Sequence, residues 1–473
     1  MATCASCALG PNFKRPAAPG DRDFIASPTP RSIGTAAVGA QRFEQSNRLA
    51  ADWWRLLHCA KLDALVAEAY ANNPTLQSAQ ATLRKSQDAL RAGYGVFSPQ
   101  VDASLSASRQ RVTPQKLGIT SVPATMFNLF SLGVTVSYAL DVWGGQRRSV
   151  ESLRAQAEAQ RYQALGSYLL LSGNVVNTVI AAAAYRAEID ATRELIAIES
   201  EQVHLGQAQA QAGTAAYANV LSLESQLALT QATLPPLEQK IDQARHLLAT
   251  LAGRTPASFA PPAIALADLS LPAEIPLSLP SQLVHQRPDI LVAEAQLHSS
   301  TALIGVATAA LLPSITIGGG VGANNTQVTD LFSPASLFWN AVGGIVQPLF
   351  HGGALWYQRK QAIDARDAAL ADYRQTVLAA FAQVADALSA LSHDADALSA
   401  QAEALHSSEE ALKLVQINYQ SGLADYLSVL TANSHYLQAR IGYVEAQAQR
   451  LQDTVALFVA LGGGWWNATK PPA

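Results

Sequence analysis

Leu132–Leu140 reads LGVTVSYAL. Leu132, Val134, Val136, Tyr138 and Leu140 alternate with Gly133, Thr135, Ser137 and Ala139. A period of two is the mark of a strand with one apolar face. The same alternation sets Val101, Ala103 and Leu105 against Asp102, Ser104 and Ser106. It sets Ile315 and Ile317 against Ser314, Thr316 and Gly318, and a weaker fourth segment covers Phe338 to Gln347. Between Ser299 and Gln358 there is a single carboxylate, Asp330, no Lys or Arg, and many Gly, Ser, Thr and Asn. Low charge without the hydrophobicity of a membrane helix is the signature of membrane strands, which are apolar on one face only. Runs of about ten residues match a tilted membrane-spanning strand. A soluble half-buried hairpin shows the same alternation, so no single strand decides the matter. Phe127, Phe130, Phe332, Phe338 and Trp339 are expected near one end of these strands, and Tyr138 and Trp143 near the other, as two aromatic girdles.

The composition of the whole chain agrees. Of 473 residues, 49% are hydrophobic and 14% charged, against roughly 25% charged in soluble domains. Such a chain hides surface in a membrane, in an oligomer, or in both. The net charge is −4 and no basic block occurs, which argues against nucleic acid as a partner. The best uncharged run, between Arg161 and Arg186, contains Gln163, Ser167, Ser172, Asn174 and Asn177. It reads as a packed helix rather than a lipid-facing one.

The chain repeats itself. Pro74–Leu83 (PTLQSAQATL) runs on to Ser98–Ala103 (SPQVDA). Pro288–Leu297 (PDILVAEAQL) runs on to Leu312–Ile317 (LPSITI), at an offset of 214. Trp143-Gly144-Gly145 corresponds to His351-Gly352-Gly353 at 208, and Gly213–Leu221 to Gly422–Leu430 at 209. A period this long is a duplicated half-molecule, not a solenoid. The expected organisation is an N-terminal segment over 1–60, a first repeat over 61–252, a Pro-rich linker over 253–286, a second repeat over 287–462 and a tail over 463–473. Strands are expected at about 100–111, 128–141, 314–325 and 337–348. Helices are expected at about 146–212, 216–251, 353–421 and 425–461. From Gln146 to Ala212 would be roughly 100 Å of helix.

Three seams step by three and four residues: Val220, Leu223, Leu227, Thr230 and on to Leu251; Leu388, Leu391, Ala395 and on to Leu405; Leu437, Ile441, Val444, Ala448 and on to Phe458. That spacing packs helices side by side as coiled coils. Four strands cannot close a barrel, and lipid tolerates no open sheet edge. The strands of several chains must therefore join, and three chains would give twelve.

Leu279–Ile290 (LPSQLVHQRPDI), continued by Ala293–Leu297 and by Leu312–Ile315, resembles the outer membrane factor family: the TolC/OprM-like channels of tripartite efflux systems, here of the NodT-like lipoprotein branch. Gly10–Pro16 (GPNFKRP), Asp52–Trp54, Leu140–Gly144 (LDVWG), Leu234–Glu238 (LPPLE), Gln347–Phe350 (QPLF) and Tyr419–Gly422 (YQSG) match in the same order. The resemblance implies an α+β membrane protein with internal duplication. It implies a homotrimer in which four strands per protomer build one twelve-stranded β-barrel and long antiparallel helices build a periplasmic α-barrel. It implies an outer-membrane location, a passive conduit for small toxic compounds, and two partners, a periplasmic adaptor (membrane fusion) protein and an inner-membrane pump. No cofactor is implied.

In the same resemblance Cys7 is the lipidated first residue of the mature chain, followed by ALGPNFKRP and preceded by the small residues Ala5 and Ser6. The apolar signal segment is absent from the chain as written. Dual or triple acylation would anchor it in the outer-membrane lipid. The free end of the α-barrel is implied at the turns around Gly213 and Gly422, where glycine reaches positive φ freely. Asp425, Tyr426, Tyr419 and Tyr217 are the gate candidates. In close relatives an acid often directly precedes the Asp425 position, where this chain has Ala424. Asp425 then has two readings: one member of a threefold acidic ring that favours cations, or a solvated acid at a helix N-terminus.

Catalytic and metal motifs are missing. Nine histidines are scattered without H-E-x-x-H, Gly318–Gly322 (GGGVG) is not followed by Gly-Lys-Ser/Thr, and Gly-x-Ser-x-Gly is absent. Cys4-Ala-Ser-Cys7 lacks the second pair or βαβ context that redox or zinc use needs. The chain therefore reads as no enzyme. Two other functions stay open at the level of sequence: an exit duct for protein secretion, and a non-channel coiled-coil scaffold of the envelope.

Overall fold

The computed structural model describes residues 8–21, 23–25, 32–35, 39–46, 49–112 and 124–468. Cys4 and Cys7 lie outside the described residues. The elements follow in order β1 (Ser32–Ile33), β2 (Gln41–Gln45), α1 (Ala60–Asn72), α2 (Pro74–Gly93), β3 (Gln100–Val112), β4 (Thr125–Leu140), α3 (Gly145–Gln211) and α4 (Tyr217–Leu251). After these come β5 (Glu274–Leu277), α5 (Pro280–Leu283), α6 (Pro288–Ala309), β6 (Ser314–Asn325), β7 (Leu337–Val346), α7 (Ala354–Gln420) and α8 (Tyr426–Ala460). The duplication is plain in the lengths. α3 and α7 each have 67 residues, and α4 and α8 each have 35. α4 runs straight through Pro235-Pro236, which supply no N–H to the preceding turn.

The chain forms two compact units, and neither follows the repeats. One comprises Met1–Arg15, Arg84–Ala159 and Ala293–Tyr373; the other comprises the rest, so each draws on both repeats.

The first unit holds a four-stranded antiparallel sheet in the order β3-β4-β6-β7. Its register decides which residues share a face, because directly paired residues point the same way. Val101, Ala103, Leu105 and Ala107 pair with Val136, Val134, Leu132 and Phe130. These continue across β6 into Ile315, Ile317, Val321 and Ala323, and across β7 into Ile345, Trp339 and Leu337. One face is therefore apolar across all four strands. The other carries Asp102, Ser104, Ser106, Ser108, Ser131, Thr135, Ser137, Thr316 and Asn340, with Phe338 and Val342 among its few apolar exceptions. Three of the four glycines of β6, Gly318, Gly320 and Gly322, belong to this second face, and Gly319 to the apolar one. A Cβ on Gly318 would stand 2.9 Å from the Val136 carbonyl oxygen, and one on Gly322 2.9 Å from Gly133 Cα. Glycine is needed there because neighbouring backbones crowd that side of the sheet.

The register also corrects the expected girdles. Phe127 pairs with Gln110 and Phe338 with Gly322, so both lie on the polar face. Trp339 shares a row with Val134, midway along β4. Only Phe130, Tyr138 and Trp339 belong to the apolar face of the sheet, and they occupy three different rows.

The second unit is helical. Its core gathers Leu62, Leu65 and Val66 of α1, Val175, Val176, Val179 and Ile180 of α3, Leu388 and Leu391 of α7, and Leu451, Val455 and Phe458 of α8. Both α3 and α6 are apolar and long enough to pass for membrane spans. The part of α3 between Arg161 and Arg186 instead buries Leu171, Val175, Val176, Val179, Ile180, Ala183 and Ala184 in this core. Of the coiled-coil seam residues, Val220, Thr230, Ile241, Ala244, Leu248, Leu388, Leu391, Ala395, Leu398, Leu437, Ala448, Leu451, Val455 and Phe458 are buried and the rest at least half-buried.

Several elements were not expected. The helices α1, α2 and α6 lie outside the strands and helices expected from the sequence. The linker expected over 253–286 is not free of regular structure: β5 pairs in parallel with β2, which pairs with β1, making a small three-stranded sheet. Pro276 is tolerated because β5 is an edge strand, and Pro280 because it opens α5 at the first turn.

Candidate functional site

The two turns between long helices lie in the second unit and are copies of each other. Gly213 and Gly422 both have φ +73°. In the first turn Gly213 N–H donates to Ala210 and Thr214 N–H to Gln209, at 3.0 and 2.9 Å. In the second, Gly422 donates to Tyr419 and Leu423 to Asn418, at 3.0 and 2.8 Å. This pair of bonds closes a helix with a left-handed residue just past its end, where any side chain would be strained.

Beyond the glycine the turns differ. Asp425 caps α8: its Oδ1 accepts from the Ser428 N–H at 2.8 Å and from Ser428 Oγ at 2.6 Å. Those bonds hold its carboxyl below the usual carboxylate range, so it is ionised at neutral pH. The equivalent residue of the first turn is Ala216, which caps nothing with its side chain. Tyr419 and Tyr426 lie together, ring centroids 5.6 Å apart. Tyr217 is 64% exposed and joins no ring contact among the described residues. The geometry thus brings Asp425, Tyr426 and Tyr419 to one turn and leaves Tyr217 on the other.

The Arg-Pro-Asp-Ile block is a clamp in the second unit. Arg287, 6% exposed, donates through Nε and Nη2 to both oxygens of Asp289, at 3.0 and 2.7 Å. Nη2 also reaches Gln383 Oε1 at 2.7 Å on α7, and Nη1 the Ala460 carbonyl at 2.9 Å. Ala460 ends α8. At the same place in the first repeat stands Asn73. Its Nδ2 donates to the carbonyl of Leu251, the last residue of α4, at 2.9 Å, while its Oδ1 caps α2 at Thr75 and Leu76. Two chemically unlike residues do one job in the two repeats. The offset of 214 was the signal that could have found this pair.

The Gly10–Pro16 motif forms a strap on the first unit. Leu9 N–H donates to the Trp143 carbonyl at 3.1 Å, and Trp143 Nε1 to the Pro313 carbonyl at 2.8 Å. Arg148, itself buried, donates to the Leu9 carbonyl and to Asn12 Oδ1, at 3.1 and 2.6 Å. Phe13 stacks on His298 at 4.4 Å, and Arg15 bonds Glu294 at 2.7 Å. Burial alone would raise the Glu151 pKa, but hydrogen bonds from His298 and Arg148 outweigh it and hold the carboxyl low. Gly10, at φ +88°, lies so close that a Cβ would meet Gly305 Cα at 2.6 Å. Ala8 is packed against Gly144, where a Cβ would stand 2.6 Å from Ala8 Cα. The strap therefore ends where β4 finishes and β6 begins.

A sheet apolar on one face from edge to edge, joined in sequence to twinned helices of 67 and 35 residues, defines a subunit of a membrane channel. The chain belongs to the outer membrane efflux protein family, whose model matches residues 65–254 and 279–463. It is 30% identical over 447 residues to the pyoverdine export outer membrane protein OpmQ of Pseudomonas putida, covering 93% of this chain and 94% of that one. It is 29% identical to the outer membrane protein OprJ of Pseudomonas aeruginosa, over 98% of this chain and 94% of that one. Among solved structures, the outer-membrane channel OprN superposes with a TM-score of 0.84 at 28% identity, over 97% of this chain and 100% of that one. The protein is an outer membrane component of an efflux system. Its family is one of efflux ducts, not of enzymes.

Proposed function

We propose that three copies of the chain close one twelve-stranded barrel, and that this trimer is a passive exit duct for small compounds. The observation that carries the reading is the sheet itself. It is apolar on one face across four strands, and β3 and β7 are both left as open edges. Lipid admits no such edge. Two chains would give eight strands, whose interior side chains fill. Three is the smallest number that leaves a pore. The exposure of Leu349 at 91% and Phe350 at 87%, just after β7, supports burial against another chain.

The apolar rows from Phe130 to Leu140 span about 33 Å along the strand. At the usual tilt that is about 25 Å of height, the depth of a barrel's lipid belt. Cys7 is the lipidation site in this reading. Consecutive Cα atoms are about 3.8 Å apart, and Ala8 is held at the end of the sheet. Acyl chains on Cys7 would enter the membrane beside the barrel. A periplasmic adaptor and an inner-membrane pump complete the system and supply the energy. Asp425, with Tyr426 and Tyr419, forms an acidic constriction at the helix turns, and Tyr217 lines the twin turn.

The relatives are named for pyoverdine export, toluene efflux and cation efflux, which supports small solutes rather than proteins as cargo. Deletion of the gene, tested against a broad toxicity panel with complementation, checks this. Sensitisation to several small compounds is expected, and unchanged tolerance to every compound would refute it.

A further inference from the structure

The apolar face of the sheet ends in two arginines. β3 continues its outward series Val101, Ala103, Leu105, Ala107 into Arg109 and Arg111. The register sets Arg109 opposite Asn128 and Arg111 opposite Met126, so both stand on the apolar face. The intervening Gln110 and Ser108 belong to the other face and bond each other at 3.1 Å. Both arginines are exposed, and among the described residues neither has an ion-pair or hydrogen-bond partner. The four strands hold one carboxylate, Asp102, and it lies on the polar face. The outward face is therefore positive only, and only at this end. At the opposite end the nearest arginine, Arg147, is already bonded to Asp141 at 3.0 Å.

Depth fixes what these groups meet. The last row that is apolar on both β3 and β4 is Ala107–Phe130. Arg109 and Arg111 lie about 7 and 13 Å further along the strand, or roughly 5 and 10 Å in height at the usual tilt. The headgroup layer adds about 5–7 Å to the hydrocarbon on each side. Arg109 lies within that layer, and Arg111 stands about 3 Å beyond it, a distance its long side chain can reach back across. There a guanidinium faces lipid phosphates, which its planar fork binds with two parallel hydrogen bonds. Two forks on one face, two residues apart, suit a headgroup with more than one phosphate oxygen to offer. This end lies away from the strap and the long helices in chain order, so it faces the outer leaflet.

We propose that Arg109 and Arg111 form a binding site for the phosphate groups of an outer-leaflet glycolipid. The inference rests on the barrel reading above. The test uses the full chain purified from outer membranes and reconstituted in nanodiscs. The probes are bis-phosphorylated lipid A and the same lipid dephosphorylated, with bound lipid counted by native mass spectrometry. The wild type is expected to retain the phosphorylated lipid preferentially. Arg109→Gln/Arg111→Gln is expected to weaken that retention roughly tenfold or more, with oligomeric mass and conductance unchanged. Inorganic phosphate at equal concentration is expected to displace none of it. Equal binding of both lipids, equal retention by the variant, or displacement by phosphate alone overturns the site while leaving the barrel intact. A wild-type chain that purifies as a monomer without detergent overturns the barrel reading and this inference with it.

Discussion

Asp425 shows how one residue can serve two ends. It caps α8 through Ser428, and it is an exposed, ionised acid at a helix turn. The cap and the charge are separable. Asparagine caps as well as aspartate, whereas alanine forfeits about 1 kcal/mol. Asp425→Asn should therefore keep thermal stability and lower the cation preference in single-channel recordings, while Asp425→Ala should lower both. Unchanged selectivity in the asparagine variant would leave only the cap. Arg287 makes a different demand. Its fork feeds Asp289, Gln383 and the Ala460 carbonyl at once. Lysine cannot reproduce that geometry. Arg287→Ala should destabilise the chain by about 2–3 kcal/mol, through lost charge-assisted hydrogen bonds, and Arg287→Lys by less; thermal melting in detergent reads both. These two residues were visible in the sequence to different degrees. Asp425 was marked by its turn as an acid at a helix N-terminus, and only its added bond to the Ser428 hydroxyl depends on a rotamer that the sequence does not show. Arg287 was marked by its motif, yet its equivalence to Asn73 was hidden because the two share function and not chemistry.

The long helices and alternating strands were legible because their periods, 3.5 and 2, are written over tens of residues. The fourth strand was faint because Gly343 and Gly344 interrupt its pattern. The small sheet of β1, β2 and β5 was not legible: its strands are two to five residues long and one pairing spans more than two hundred positions. The buried Arg450 was missed for the same reason. Its Nη2 donates to the Gly39 carbonyl at 2.7 Å and its Nε to Gln41 Oε1 at 3.2 Å, partners from the far end of the chain. One helix pair carries a titratable weakness. Glu188 on α3 is 7% exposed, and burial, then repulsion from Glu445 on α8, pushes its pKa up to about 7. A carboxyl raised above its unfolded value binds a proton more readily when folded. Its stabilising contribution is present at acid pH and lost as pH rises toward about 7. Glu188→Gln should leave the melting temperature near pH 4 unchanged. At pH 8 it should stabilise by on the order of 1–3 kcal/mol. An equal effect at both pH values would contradict that account.

At the scale of the molecule, repeats and compact units are two different divisions. Duplication doubled the helices and strands, but folding gathered strands from both copies into one unit and coiled-coil segments from both into another. That is why a sheet with two open edges results, and why one chain cannot be the finished object. The central claim is that three chains share one barrel. It is tested most directly by the native mass of the detergent-extracted protein after the micelle is stripped. The account predicts about 150 kDa, three times the 50.0 kDa of one chain. A species of one chain, stable and without a larger partner, would contradict it.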